Sequence, residues 1–173
     1  MTAERIELRP VPVELARILA GPQADDPGVG PSRSWAPGYP LPGTRVAARM
    51  LVRRAEATGD PGDDDRVCRW GMFQIILRET GKVIGDIGFH GPPDEAGTVE
   101  IGYSLVEQYR GRGLASESAV ALCGLAWSRA EVSRIIARTD EGNAPSAGVL
   151  RHAGFRDGDG AAGGFRNFVL DRP

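Results

Sequence analysis

The residues best suited to chemistry lie in one short stretch, residues 107–116, whose sequence is E-Q-Y-R-G-R-G-L-A-S. Alternating apolar residues predict a strand before this stretch, and a helical period predicts a helix after it. The first backbone N–H groups of a helix have no partner within the helix and lie at the positive end of its dipole. Gly111 and Gly113 let an anion approach without a Cβ in the way, and Arg110 and Arg112 add positive charge. The stretch therefore predicts a cradle for a pyrophosphate.

Other interpretations of these glycines compete with the cradle. A dinucleotide-binding fold requires a third glycine where Ser116 stands, and it requires an early strand–helix–strand unit. A kinase-type phosphate loop requires Gly-Lys followed by Ser or Thr, which this stretch lacks. These residues alone do not exclude a third interpretation, a glycine-rich turn with two solvated arginines.

The flanks of the stretch carry a resemblance to a known family. With them it reads T-V-E-I-G-Y-S-L-V-E-Q-Y-R-G-R-G-L-A-S-E, which resembles the acetyl-CoA-binding motif of the GNAT superfamily of N-acetyltransferases. The downstream N-A-P-S-A-G-V-L-R-H-A-G-F resembles the N-x-x-S…GF helix of the ribosomal-protein-acetyltransferase-like (Rim-type) branch, and the upstream I-G-D-I-G-F-H matches as well. The resemblance covers residues 72–158, whereas the residues before it match only in the order of predicted elements. It implies an α/β (α+β) GNAT fold, with a mixed, mostly antiparallel sheet of about six to seven strands flanked by about four helices.

The resemblance also implies how a cosubstrate is bound. In such enzymes acetyl-CoA is used without a metal, and its pantetheine arm pairs with an exposed strand backbone, here that of Leu105 and Val106. Asn143 and Ser146 would point toward the pantetheine arm or the thiol. Asn143 is also a good helix N-cap because Pro145 follows it in the first turn, and the two roles can coexist. The pyrophosphate would lie on the backbone amides of Arg110, Gly111, Arg112, Gly113, Leu114 and Ala115.

The implied reaction is direct attack of an amine on the thioester. Because an ammonium cannot attack, a base must take its proton, and an acid helps the thiolate to leave. Glu100 is the first candidate base, since it is polar on an otherwise apolar strand and matches the family's strand Glu. Its alternative role is a structural partner for a loop or an arginine. His90 at the end of the adjacent strand is a second candidate. Many members place a Tyr acid where this chain has Leu150, which moves the predicted acid to Ser146, and a strand amide near Leu105 would stabilise the oxyanion.

A segment rich in Gly and Pro, residues 21–43, is the predicted acceptor region. It holds five Gly and six Pro, so it forms neither a long helix nor an interior strand. The segment is either a linker or a loop that covers the site. Trp35 and Tyr39 within it would either stack on an amine or pack the loop onto the domain. The acceptor itself, a protein N-terminus or a small-molecule amine, stays open.

The periodicity of the chain predicts the elements that position these residues. A helix over residues 44–57 has Thr44 as its N-cap and Val46, Met50 and Leu51 on one face. The order predicts a meander of antiparallel strands followed by one strand–helix–strand unit. Strands are predicted at residues 6–10, 69–79, 83–89, 98–105, 134–139, near 155 and at 165–170, with further helices at 13–20, 114–129 and 143–152.

Composition excludes several classes of protein. The 173 residues suit a single domain, residues 1–173, and the net charge of −2 provides no basic field for nucleic acid. No stretch approaches the length of a membrane span. Cys68 and Cys123 lie far apart without a CxxC motif, which predicts two thiols in a reducing, cytoplasmic setting rather than a disulfide or a zinc site. A homodimer stays open, and so does a noncatalytic acyl-CoA-binding sensor that uses the same cradle.

Overall fold

A computed structural model of the protein describes residues 4–25, 34–58, 68–159 and 163–173. Within these residues the chain forms seven strands and four α-helices, as the sequence predicts. In chain order they are β1 Ile6–Pro10, α1 Val13–Ala20, α2 Pro42–Thr58, β2 Met72–Leu77, β3 Lys82–Phe89, β4 Thr98–Leu105, α3 Leu114–Trp127, β5 Arg134–Asp140, α4 Ala144–His152, β6 Arg156–Asp157 and β7 Phe165–Asp171. None of these helices has the length and apolar character that crossing a membrane requires. The extent of the domain, residues 1–173, stays a prediction.

The strands form one sheet in the order β1-β2-β3-β4-β5-β7-β6. Neighbouring strands are antiparallel throughout, with the exception of β4 and β5, which are parallel and are joined by α3. A parallel pair requires such a crossover because its strands run in the same direction. The predicted meander followed by a strand–helix–strand unit is therefore confirmed.

Apolar side chains cover both faces of the sheet. One cluster joins the sheet to α3 and α4 and includes Ile75, Leu122 and Leu150. A second cluster joins the opposite face to α1 and α2 and includes Leu19 and Leu51. All six residues of β2 are buried, Gln74 among them, and the other five are apolar, as is typical of a strand buried on both faces. Full burial of each large aliphatic side chain contributes about 1.5–3 kcal/mol, so packing on both faces stabilises the sheet between the two pairs of helices.

Strand β4 separates from β5 partway along its length. Its parallel ladder with β5 ends where Ile101 lies opposite Ala137, while its antiparallel ladder with β3 continues to Leu105. Backbone groups in an antiparallel ladder alternate between the two neighbours. Val106 donates its N–H to Ile84 of β3 at 2.9 Å, so the alternation turns the N–H groups of odd-numbered residues toward β5. Beyond Ile101 those groups face an opening in the sheet.

Helix α2 differs from the helix that the sequence predicts. It begins at Pro42, so Thr44 lies inside the first turn and is not the N-cap. Val46, Met50 and Leu51 lie on one face, as predicted, since all three line a cavity beneath the helix. Only Leu51 is buried there, because Val46 is 54% exposed and Met50 is 39% exposed. The small side chains of Thr44 and Ala48 are fully buried against the sheet. The sequence prediction missed them because it considered only the large apolar residues of the helix.

The Gly/Pro-rich segment is only partly described, since residues 26–33 lie outside the described residues. Its first part forms a short 3₁₀ helix, Pro22–Asp25. Trp35 and Tyr39 are both 7% exposed and lie edge to face with ring centroids 5.4 Å apart. Trp35 also forms a backbone bridge with Val83 of β3. These contacts pack the end of the segment onto the second cluster.

Candidate active site

The opening between β4 and β5 leads into a cleft of about 790 Å³. Eight of the predicted site residues line it, namely Leu105, Arg110, Gly111, Gly113, Leu114, Ala115, Asn143 and Ser146. Two predicted cofactor residues do not. Val106 is buried in the second cluster, and the guanidinium of Arg112 lies over the Tyr109 ring, 5.9 Å from its centroid. The turn and Arg110 therefore face the cleft, whereas Arg112 does not line it.

The turn before α3 has the backbone shape of an anion cradle. Gly111 and Gly113 have φ angles of +70° and +75°, which L side chains rarely adopt. Gly113 is the N-cap of α3, and no side chain caps this helix. The first N–H groups of α3, from Leu114 onward, therefore remain available to a ligand at the positive end of the helix.

Arg5, which the sequence does not single out, holds this turn in place. Its Nη1 donates to the carbonyl of Arg112 at 2.9 Å, and its Nε donates to Oε2 of Glu117 at 2.8 Å. Its backbone N–H also donates to Oε1 of Glu117 at 2.7 Å. From the other side, Arg110 donates through Nε to the carbonyl of Leu105 at 2.9 Å. The turn is thus tied both to the start of β1 and to the end of β4.

The far wall of the cleft comes from α4. Asn143 caps this helix by accepting the Ser146 N–H at 3.1 Å, so the predicted N-cap is confirmed. The Ser146 hydroxyl lies 2.8 Å from the phenol oxygen of Tyr103, which donates to the Ser146 carbonyl at 3.1 Å. Burial raises the pKa of Tyr103, which keeps the phenol protonated. Tyr103 was not predicted as a site residue because strand alternation places it among apolar neighbours. Leu150 is buried in the core.

A second cavity of about 350 Å³ lies beneath α2 on β3 and β4. Gly88 and Gly102 lie opposite each other in the ladder, and both line the cavity. A Cβ on Gly102 would lie 2.8 Å from Nε2 of His90. Tyr103 and Ser104 line both cavities, so β4 separates them by a single strand. The apolar walls come from Val46, Ala47, Met50, Leu51, Met72, Ile87 and Phe89.

A buried carboxylate, that of Asp86 on β3, lines this second cavity. Asp86 is 5% exposed. Thr44 donates its hydroxyl to Oδ2 of Asp86, and Ser104 donates its hydroxyl to Oδ1 at 3.1 Å. Burial raises the pKa of Asp86 to about 6, although the two hydroxyl bonds act in the opposite direction. The sequence signal was a single charged residue inside the apolar run V-I-G-D-I-G-F.

Glu100 lies farther along the same face of the sheet, in an ionic cluster. Arg138 donates to both of its carboxylate oxygens at 2.9 Å, and Nδ1 of His90 lies 3.3 Å from its Oε1. His90 lines the second cavity, whereas Glu100 does not. This geometry fits the alternative role as a partner for an arginine, and a role for Glu100 as the base stays a prediction.

Trp35 and Tyr39 do not line the second cavity. Their packing contacts fit the second interpretation of these residues, and contact with an acceptor stays a prediction for both. Arg54 on α2 lines the cavity instead. It donates to the carbonyls of Trp70 at 2.6 Å and His90 at 2.7 Å, which joins α2 to the end of β3.

The sequence matches the acetyltransferase (GNAT) domain family over residues 5–156. The chain belongs to the GNAT acetyltransferase family. Over 81 residues this GNAT chain is 38% identical to YjdG of Bacillus subtilis (strain 168), named as an uncharacterized N-acetyltransferase, and the match covers 47% of the chain and 48% of YjdG. The chain therefore spans about half the length of the curated relatives it matches.

Solved structures share the fold of this GNAT chain. An acetyltransferase from Agrobacterium tumefaciens str. C58 has a TM-score of 0.62 at 24% identity, and the match covers 99% of this chain and 94% of that one. RimJ of Mycobacterium smegmatis, solved in complex with CoA-disulfide, has a TM-score of 0.62 at 22% identity, covering 98% of this chain and 83% of that one. The Rim-type likeness of the sequence thus extends to the fold.

Substitution of Gly111 tests the cradle. A Cβ at this position meets no protein atom within 4 Å, so Gly111→Ala acts only through its left-handed φ. That strain costs about 1–2 kcal/mol, and relief of the strain rotates the amides away from the ligand. We expect acetyl-CoA affinity to fall about tenfold in a calorimetric titration.

The matched control is Gly124→Ala in the middle of α3, where a Cβ also meets no protein atom within 4 Å. There the change favours the helix by about 0.5–1 kcal/mol, and acetyl-CoA affinity should not change. Wild-type affinity in Gly111→Ala would exclude this turn as the pyrophosphate site.

Substitution of Asp86 tests the cost of its buried charge. A rise of its pKa from 3.8 to about 6 corresponds to about 3 kcal/mol. Because the folded state holds the proton more tightly, the free energy of unfolding falls between about pH 4 and pH 6 and is then constant. We expect Asp86→Asn to melt several degrees above wild type at pH 8 and to match it at pH 4. Glu7→Gln, at a partly exposed carboxylate on β1 that pairs with Arg9, should show no such pH-dependent gain. A lower melting temperature for Asp86→Asn at both pH values would contradict the prediction.

Proposed function

We propose that this chain transfers the acetyl group of acetyl-CoA to a primary amine by direct attack of the amine on the thioester. The observation that carries the proposal is the pair of cavities on either side of β4, which share Tyr103 and Ser104. One cavity ends in an uncapped helix N-terminus suited to a pyrophosphate. The other is mostly apolar and is large enough for the reactive end of an acceptor. The two reactants would then meet across one strand.

The cofactor would lie along the open edge of β4. Its pyrophosphate would accept hydrogen bonds from the N–H groups at the start of α3, and its pantetheine arm would pair with the backbone of Tyr103 and Leu105 as an added strand does. The Leu105 carbonyl already accepts a bond from Arg110, which leaves the Leu105 N–H as the donor. This direction brings the thioester to the wall that both cavities share. RimJ of Mycobacterium smegmatis, which shares the fold, was solved with a CoA-disulfide.

Acetyl-CoA supplies an acetyl group on a good leaving group, and the chain supplies orientation and proton transfer. The N–H of Leu105 faces the cleft and would stabilise negative charge developing on the acetyl oxygen. Ser146 and Tyr103 form a hydroxyl pair that lines the cleft and would donate a proton to the departing thiolate. Ser146 thereby keeps its predicted role as the acid, and Tyr103 positions its hydroxyl.

A thiol-release assay tests the proposed function. The protein is incubated with acetyl-CoA and one of three acceptors: benzylamine, aniline, or alanyl-phenylalanine amide as a model protein N-terminus. We expect amine-dependent release of thiol and an N-acetylated product in mass spectrometry. Gly111→Val, which places a β-branched residue at a left-handed φ, should abolish release. Acetyl-CoA binding without thiol release from any acceptor would contradict the enzyme and favour the noncatalytic acyl-CoA sensor.

A further inference from the structure

Asp86 is a buried carboxylate that the described residues leave without a cation. Its partners are the neutral hydroxyls of Thr44 and Ser104, and no described Lys, Arg or His forms an ion pair with it. Buried charges in proteins are normally paired, because removing a charge from water costs several kcal/mol. An unpaired carboxylate at a cavity wall is therefore suited to a cationic ligand.

Glu100 on the same face of the sheet provides the contrast. Arg138 neutralises it through two hydrogen bonds, and His90 lies against it. Its charge is thus satisfied within the protein, and it does not line the cavity. Of these two carboxylates, Asp86 is the one that a ligand in the cavity can reach.

Asp86 lies close to the wall that the cavity shares with the cofactor cleft. The Ser104 hydroxyl donates to Asp86 at 3.1 Å, and Ser104 also lines the cofactor cleft. The carboxylate therefore lies one hydrogen bond from the wall where the thioester would arrive. Arg54 and His90 also line the cavity, but most of its other lining residues are apolar, and they suit an apolar body attached to the charged nitrogen.

We propose that Asp86 binds the acceptor as an ammonium and takes its proton, so that the acceptors are primary amines that are cationic in water and carried on an apolar group. This inference rests on the proposed function and names the residue that selects its substrate. Hydroxyl bonds from Thr44 and Ser104, one to each oxygen, fix the position of the carboxylate at the cavity wall. Exclusion of water disfavours both the carboxylate and the ammonium, so proton transfer between them relieves two buried charges at once.

The protons balance over the reaction. Asp86 accepts one proton from the ammonium, which becomes a neutral amine. The nitrogen then attacks the acetyl carbon, the C–N bond forms, and the C–S bond breaks with its electron pair on sulfur. The nitrogen loses a second proton as the sulfur gains one, which gives an amide and free CoA. Asp86 finally returns its proton to water, and the transfer releases one proton overall.

Other groups around Asp86 bear on its titration. Tyr39 lies before α2 and interacts with the Asp86 charge, and burial raises the pKa of that phenol far above neutrality. Gln74 on β2, opposite Asp86 in the ladder, carries no charge. His90 and Arg54 line the same cavity. His90 therefore requires its own control.

The test compares wild type with Asp86→Asn, which keeps the shape of the side chain and removes its charge. Benzylamine is a cation at neutral pH, whereas aniline is neutral and of similar size. We expect kcat/KM for benzylamine to fall about 100-fold in Asp86→Asn, and the value for aniline to change less than about threefold. Acetyl-CoA affinity should not change. Glu7→Gln, at a partly exposed and ion-paired carboxylate on β1, should act as wild type does on both amines.

Binding gives a readout that does not depend on turnover. In calorimetry with CoA-loaded protein, benzylamine affinity should rise between pH 5 and pH 7 in wild type, because Asp86 ionises there, and should stay low in Asp86→Asn. His90→Asn should keep this pH dependence. Equal benzylamine binding and turnover in wild type and Asp86→Asn would overturn the inference and leave the proposed function standing. Absence of thiol release from every amine in wild type would overturn both.

Discussion

The site depends on one constraint, the early end of the ladder between β4 and β5. Where Ile101 lies opposite Ala137 the two strands separate, yet β4 stays paired with β3 for four more residues. The backbone on one edge of β4 is thereby exposed to a cleft without loss of the strand itself. Because β4 is one strand thick, a second cavity on its other face is separated from the cleft only by Tyr103 and Ser104.

Packing on both faces of the sheet holds β4 in place although its ladder with β5 ends early. The two apolar clusters fix β3 and β4 between α1 and α2 on one side and α3 and α4 on the other. Arg5 ties the turn before α3 to the start of β1, and Arg110 ties it to the end of β4. The hydrogen-bond donors of the turn are thus positioned before a ligand arrives, which lowers the entropic cost of binding.

Local features of the site could be predicted from the sequence, because they depend on a few consecutive residues. The positive φ angles of Gly111 and Gly113 and the cap at Asn143 follow from residue type and spacing. Partners distant in the chain could not be predicted in the same way. Glu100 was the candidate base because it is polar on an apolar strand, but its pairing with Arg138, 38 residues away, follows from the β4–β5 register.

The surroundings of Asp86 likewise depend on residues distant in the chain, which the sequence alone does not bring together. Its sequence context signals a buried charge, but its environment depends on Thr44 and Ser104, which reach it from α2 and β4. Helix α2 was predicted to begin at Thr44, which would have placed this side chain at a solvent-facing cap. A start at Pro42 turns Thr44 inward instead. A shift of two residues at one helix boundary thus decides whether Thr44 can bond to Asp86.

The most direct measurement is a crystal structure of the protein with bound acetyl-CoA. The pyrophosphate should lie on the N–H groups at the start of α3, and the pantetheine amides should pair with the β4 backbone beyond Ile101. The thioester should then lie against Tyr103 and Ser104, facing the cavity that holds Asp86. A pyrophosphate bound away from this turn, or a thioester separated from Ser104 by closed β4–β5 pairing, would contradict this arrangement.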